Sequence, residues 1–139
     1  MQIKQSLNPL KQELDIIYNG LCDYNERYVP NVKEASIAYW LLDETECMVG
    51  GVSAQQVGEI LQINYFWLPE MYRGKAWGSQ LIHQLEDYAI KHELRSMCLD
   101  TYNFQAPKFY LGLGFHEVGR FKNYPVKGVD KIFLQKALA

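Results

Sequence analysis

A strand, a short loop and a long helix follow one another without a break in the middle of the chain. Glu59 to Leu68 is rich in apolar and aromatic residues and predicts a strand. Lys75 to Glu93 has apolar residues at helical spacing, and Met97 to Thr101 predicts the next strand. A strand–helix–strand order of this kind requires one parallel strand pair joined by a right-handed crossover.

The loop at the start of that helix, Arg73 to Gly78, predicts an anion site. Backbone N–H groups at a helix N-terminus point outward, and the helix dipole favours negative charge there. Gly74 and Gly78 have no side chain, so an oxyanion can approach the backbone closely. Arg73 and Lys75 add positive charge. The pattern favours a phosphate or pyrophosphate ligand, with a plain glycine turn as the alternative.

The remaining segments complete a mixed α/β domain. Asn8-Pro9 predicts a helix start, with Asn as the cap and Pro at the first helical position, and Gly20 suggests a division into two helices. Further strands are predicted at Ser36–Leu42, Cys47–Gln55, Phe115–Phe121 and Lys131–Gln135, and a short helix from Pro107. Together these elements predict a mixed, mostly antiparallel sheet with flanking helices, in a single domain over residues 1–139.

Composition excludes several classes of function. The chain has 139 residues, 48% of them apolar, which suits one folded domain. A formal net charge of −2 argues against nucleic-acid binding. Three separated cysteines and three dispersed histidines indicate neither a disulfide framework nor a metal site. The sequence has no secretory signal and no apolar run of about 18 residues, so we expect a cytoplasmic protein without membrane contact.

Two motifs give the chain a family resemblance. The first is Arg73-x-x-Ala76-x-Gly78, and the second runs from Asn103 through Ala106 and Phe109-Tyr110 to Gly114-Phe115. In order and spacing they resemble the GNAT-type N-acetyltransferases, in particular a small bacterial single-domain branch. Ala76 stands where that family usually has Gly. The extra methyl group either holds the loop farther from a pyrophosphate, or is tolerated because φ is negative there.

The resemblance implies that acetyl-CoA is the cosubstrate and that no metal takes part. It implies that Tyr110 is the general acid and that Asn103 contacts the pantetheine region. The other implied cofactor-binding residues are the strand-edge residues Phe66, Trp67 and Leu68, and the phosphate-loop residues Arg73, Gly74, Lys75, Ala76, Trp77, Gly78 and Ser79.

The chemistry of acetyl transfer agrees with an acidic role for tyrosine. A thiol has a pKa of about 8.5 and a tyrosine about 10, so Tyr110 stays protonated at neutral pH and can donate to a leaving thiolate. A strand N–H near Trp67 or Leu68 can bind the developing oxyanion. Glu59, Glu70, Asp100 or a relayed water remain open as the base that deprotonates the acceptor amine.

The function expected from this resemblance is N-acetylation of a primary amine. The acceptor is a small molecule of polyamine, aminoglycoside or amino-acid type, or a protein amine, and the resemblance is compatible with a homodimer. One alternative is a non-catalytic acyl-CoA binding or sensing module, which needs Arg73 to Ser79 but not Tyr110. Another is a related fold that works through protein interaction after losing cofactor binding.

Overall fold

The computed structural model describes residues 1–138, in two compact units, Met1–Val32 and a larger unit that begins at Lys33. In chain order the helices and strands are α1 (Lys11–Glu26), β1 (Glu34–Leu42), β2 (Met48–Val57), β3 (Ile60–Trp67), α2 (Trp77–Lys91), β4 (Ser96–Tyr102), α3 (Pro107–Gly112), β5 (His116–Phe121) and β6 (Lys131–Ala137). A 3-10 turn at Glu70–Tyr72 lies between β3 and α2.

The first unit contains the single helix α1, which differs from its prediction in two ways. The helix runs through Gly20 without a break, so the predicted division there is wrong. The prediction that Asn8 caps it is also wrong, because Asn8 has a φ of 50° and the cap is Leu10. The Glu13 carboxylate accepts the Leu10 N–H at 3.0 Å, which replaces the missing side-chain cap. Apolar residues such as Ile17 are exposed along α1.

The second unit contains a six-stranded sheet with the order β1-β2-β3-β4-β6-β5. Only the β3–β4 pair is parallel, and every other strand pair among residues 33–138 is antiparallel. This arrangement confirms the predicted mixed, mostly antiparallel sheet with one parallel pair. The crossover between β3 and β4 contains α2, as the strand–helix–strand order requires.

The hydrophobic core lies between the sheet and the helices α2 and α3. Leu85 and Ala89 of α2 and Leu61 of β3 are fully buried. An ion pair links α2 to the sheet, where Lys136 Nζ of β6 lies 3.0 Å from Glu86 Oε2 of α2. The two side chains are 21% and 20% exposed, so the pair is largely shielded from solvent.

Gly50 explains the close approach of β2 to the end of β3. A Cβ at this position would lie 2.6 Å from the Trp67 carbonyl oxygen, which is too close for any other residue. The pair Gly50-Gly51 lies within β2. A glycine pair in a strand is typical of a bulge or a close backbone approach, and at Gly50 the structure shows a close approach. The contact fixes the end of β3 and the beginning of the loop that follows it.

Candidate active site

The parallel strands β3 and β4 separate after a short paired stretch. They are paired only from Ile60–Ser96 to Gln62–Cys98, although β3 continues to Trp67 and β4 to Tyr102. Beyond Gln62 no β3–β4 pair forms within residues 1–138, so the facing edges of the two strands leave backbone N–H and C=O groups unpaired. This gap can receive an extended ligand that carries amide groups of its own.

A cavity of about 640 Å³ opens at the wide end of the gap. It brings together the end of β3, the loop before α2, the beginning of α2 and the segment from β4 into α3. Its lining residues are Phe66, Trp67, Leu68, Arg73, Gly74, Ala76, Gly78, Ser79, Phe104, Gln105, Ala106, Phe109 and Tyr110.

The loop before α2 is held by the Arg73 side chain. Arg73 Nε donates a hydrogen bond to the Leu68 carbonyl at 2.8 Å, and the guanidinium lies 4.9 Å from the centre of the Trp67 ring. These contacts close the turn on itself through a hydrogen bond and a cation–π interaction. Arg73 therefore contributes its positive charge to the cavity from a fixed position.

The backbone of this loop is left-handed at two positions. Gly74 has a φ of 72° and Ala76 a φ of 67°. Of the two interpretations of Ala76, tolerance through a negative φ is wrong, because the residue adopts a conformation that costs alanine energy. Ala76 is also the N-cap of α2, and no side chain within residues 1–138 caps the helix there. The first N–H groups of α2 therefore remain available to an anion in the cavity.

Gly78 lets the first turn of α2 pack against two aromatic rings. A Cβ on Gly78 would lie 3.2 Å from Cζ of both Phe66 and Phe109, which is tighter than most real contacts. The two rings stack with their centroids 5.7 Å apart. The glycine thus joins the uncapped end of α2 directly to an apolar wall of the cavity.

Tyr110 lies in α3 on the inner side of the cavity and is 7% exposed. Its ring makes edge contacts with Phe66, Phe109 and Phe115 at centroid distances of 6.4, 5.1 and 5.9 Å. Burial raises the pKa of Tyr110 to about 12. Its hydroxyl makes no hydrogen bond to a residue in the range 1–138. The oxygen is accessible to solvent, because no fully buried side-chain N or O atom in this range lacks a hydrogen-bond partner. The hydroxyl therefore faces the open space of the cavity as a neutral donor.

Three residues that the sequence assigned to cofactor binding do not line the cavity. Lys75 is exposed and Trp77 is 39% exposed on the first turn of α2. Asn103 is hydrogen-bonded to the connection between β5 and β6, with its Nδ2 donating to the Gly128 carbonyl at 3.3 Å. Their roles toward a cofactor stay predictions.

Four lining residues are not assigned to the site by the sequence. Phe104, Gln105, Ala106 and Phe109 belong to the segment from β4 into α3. Ala106 and Phe109 are part of the second sequence motif, so that motif carries a signal for the cavity wall as well as for the family. Phe104 is 70% exposed and is not one of the residues that define the motif.

Among residues 1–138, none of the three acidic residues proposed as a base lines the cavity. Glu59 lies 3.6 Å from Arg95, and Glu70 is exposed in the 3-10 turn. Asp100 lies 3.8 Å from the Lys131 ammonium. The identity of a base therefore stays open between these carboxylates and a relayed water.

Metal-binding clusters and membrane-spanning helices are both absent from the part of the chain that the structure describes. Within residues 1–138 no three His, Cys, Asp or Glu side chains group closely enough to hold a metal ion. No helix in this range has the length and apolar character needed to cross a membrane.

The mixed six-stranded sheet with its separated strands β3 and β4 has the fold of an acyltransferase. The family model of the GNAT acetyltransferases matches residues 5–115, so the chain belongs to that family. This assignment confirms the resemblance found in the sequence. No curated protein matches the chain.

Solved structures support the same fold. An acetyltransferase from Bacillus cereus ATCC 14579 is 30% identical, with a TM-score of 0.89 over 97% of this chain and 98% of that one. A protein from Agrobacterium tumefaciens assigned as an acetyltransferase is 21% identical, with a TM-score of 0.86 over 99% and 100%. A Bacillus anthracis protein assigned as a streptothricin acetyltransferase, solved in complex with acetyl coenzyme A, is 21% identical, with a TM-score of 0.65 over 75% and 63%. The two structures at 21% identity support the fold alone.

Proposed function

We propose that this protein transfers the acetyl group of acetyl-CoA to a primary amine by direct attack, with Tyr110 as the general acid. The observation that carries the proposal is the position of a neutral tyrosine hydroxyl in the same cavity as an uncapped helix N-terminus and a gap between strands. Acetyl-CoA supplies an acetyl group that is activated as a thioester.

The residues present fit such a cosubstrate. The first turn of α2, with Gly78 and Ser79 at the cavity, offers N–H groups and a positive dipole end to a pyrophosphate. The unpaired edge of β3 up to Trp67 offers donors and acceptors to the amides of a pantetheine arm. The stacked rings of Phe66 and Phe109 provide an apolar wall that keeps water from a thioester.

Tyr110 is suited to protonate a leaving thiolate. Its raised pKa keeps the hydroxyl protonated across the physiological range, so the donor is always in the correct state. Apolar surroundings also raise the pKa of a thiol that leaves within the cavity, which reduces the mismatch in acidity between donor and acceptor. A backbone N–H near the end of β3 remains the proposed oxyanion donor.

The first test measures binding and turnover separately. Acetyl-CoA and free CoA are titrated into the protein by calorimetry, and thiol release is then followed with a panel of polyamines, aminoglycosides, amino acids and peptides. Saturable binding at micromolar concentration together with amine-dependent thiol release supports the proposal. No binding of either ligand at millimolar concentration would overturn it.

The variant Tyr110→Phe tests the acid and distinguishes the alternative function. We expect a loss of turnover of about 100-fold or more with cofactor affinity unchanged within about twofold. Tyr88→Phe is the matched control, because it removes a tyrosine hydroxyl from α2 at a position that does not line the cavity. The alternative, a non-catalytic binding module, predicts a different result. Such a protein would bind acetyl-CoA with the same affinity in Tyr110→Phe and would release no thiol with any amine.

A further inference from the structure

The connection between β5 and β6 is joined to the active-site wall through Asn103. The Asn103 N–H donates to the Asp130 carbonyl at 3.0 Å, and the Asp130 N–H donates to Asn103 Oδ1 at 3.3 Å. Asn103 Nδ2 completes the contact with the Gly128 carbonyl. Both ends of the Asn103 side-chain amide therefore bind the β5–β6 connection, residues 122–130.

That connection is itself internally cross-linked. The Asp130 carboxylate accepts hydrogen bonds from Arg120 Nη1 at 2.9 Å and from the Asn123 N–H at 3.2 Å. Asn123 Oδ1 in turn accepts the Gly128 N–H at 2.9 Å. Arg120 is also paired with Glu117 at 2.6 Å, so one guanidinium links β5 to the end of the connection. The connection thus offers Asn103 a fixed partner.

On the other side of Asn103 lies the wall of the cavity. The next three residues, Phe104 to Ala106, all line the cavity. The Gln105 side chain accepts the Tyr102 N–H at 2.9 Å, and Ala106 is the left-handed N-cap of α3. Because α3 carries Tyr110 four residues later, a displacement of this segment displaces the hydroxyl as well.

We infer that Asn103 is a positioning residue that holds the wall formed by Phe104 to Ala106, and with it Tyr110, against the braced β5–β6 connection. Arg120 takes part from a distance, because it holds Asp130. The inference rests on the proposed function and goes beyond it. It assigns to Asn103 and Arg120 an effect on turnover that needs no contact with the cosubstrate.

The two roles of Asn103 make different predictions. A residue that contacts the pantetheine region contributes to binding, so its removal weakens affinity for CoA. A positioning residue affects the geometry of the reacting groups, so its removal lowers kcat and leaves that affinity nearly unchanged. Asn103 is exposed at the surface, so truncation of its side chain leaves the core intact.

The experiment compares Asn103→Ala, Arg120→Ala and the control Lys127→Ala in the full chain. Lys127 is exposed in the same connection, and its side chain makes no hydrogen bond or ion pair within residues 1–138. For Asn103→Ala we expect kcat to fall about tenfold, the Kd for CoA to stay within about twofold, and the Asp130 amide to exchange hydrogen faster. Arg120→Ala should change kcat and exchange in the same direction by less, and Lys127→Ala should change neither.

The inference fails if Asn103→Ala weakens CoA binding tenfold while kcat and exchange at Asp130 stay at wild-type values. It also fails if the Tyr110 ring resonances, measured by NMR, are the same in Asn103→Ala as in the wild type. These resonances and the exchange rates need no turnover. If the wild-type protein releases no thiol, the proposed function is wrong. The ring resonances and exchange rates would still decide whether Asn103 positions Tyr110.

Discussion

Replacing Ala76 with glycine should stabilise the protein, although it removes a methyl group. Ala76 has a φ of 67° and a ψ of 2°, a left-handed conformation that costs an L-residue roughly 1–2 kcal/mol. Glycine relieves this strain, but its freer unfolded chain offsets about 0.4–1 kcal/mol. The net gain in the free energy of unfolding is therefore expected at about 0.5–1 kcal/mol, or about 2–3 °C in Tm for a domain of this size.

Urea and thermal denaturation of Ala76→Gly measure this gain, and two further variants serve as controls. Gly74→Ala introduces the same strain, because Gly74 has a φ of 72° and an added Cβ would have no atom within 4 Å, so it should cost about 1 kcal/mol. Gly112→Ala has equally free space without a left-handed φ and should be neutral or stabilising. A loss of stability in Ala76→Gly, with Gly74→Ala unchanged, would refute the reasoning from φ.

Two predictions concern polar groups that are buried or partly shielded from solvent. Since burial raises the pKa of Tyr110 from 10.0 to about 12, the unfolded chain ionises first as pH rises, and about 2 kcal/mol of stability should be lost from pH 10 to 12. Tyr110→Phe should lack this loss, and denaturation of both proteins across that range checks it; parallel curves would contradict it. Within residues 1–138, Glu86→Ala leaves the Lys136 ammonium with only the Leu113 carbonyl as a hydrogen-bond partner, so it should cost about 2 kcal/mol in urea denaturation. A loss below about 0.5 kcal/mol would show that the pair behaves as an exposed one.

The order of elements could be predicted because the chain marks each change of period clearly. Alternating residues in β2 and helical spacing in α2 differ enough to separate strand from helix. The parallel pair followed from topology alone, since α2 lies between β3 and β4. These predictions depend on local pattern, which a single sequence displays directly.

Other features depend on partners that the local pattern does not display. The α1 cap failed as a prediction because Glu13 reaches back to the Leu10 N–H and makes an Asn cap unnecessary. The left-handed φ of Ala76 could not be predicted, because alanine is not a residue type that favours a positive φ. Asn103 was located by its motif, but its bonds to Gly128 and Asp130 span 25 and 27 residues. A motif identifies a residue in the chain and leaves its distant contacts undetermined.

The short pairing of β3 with β4 also divides the protein along its sequence. β1, β2 and β3 come from one continuous stretch, residues 34–67, and β4, β5 and β6 come from another, residues 96–137. Within residues 33–138 only three residue pairs join the two half-sheets through strand pairing, while α2 and ring contacts such as Phe66–Phe109 join the halves across the core. A chain cut between α2 and β4 would therefore separate two fragments that each keep a complete three-stranded sheet, which makes this turn the natural place to split the protein for reassembly from fragments.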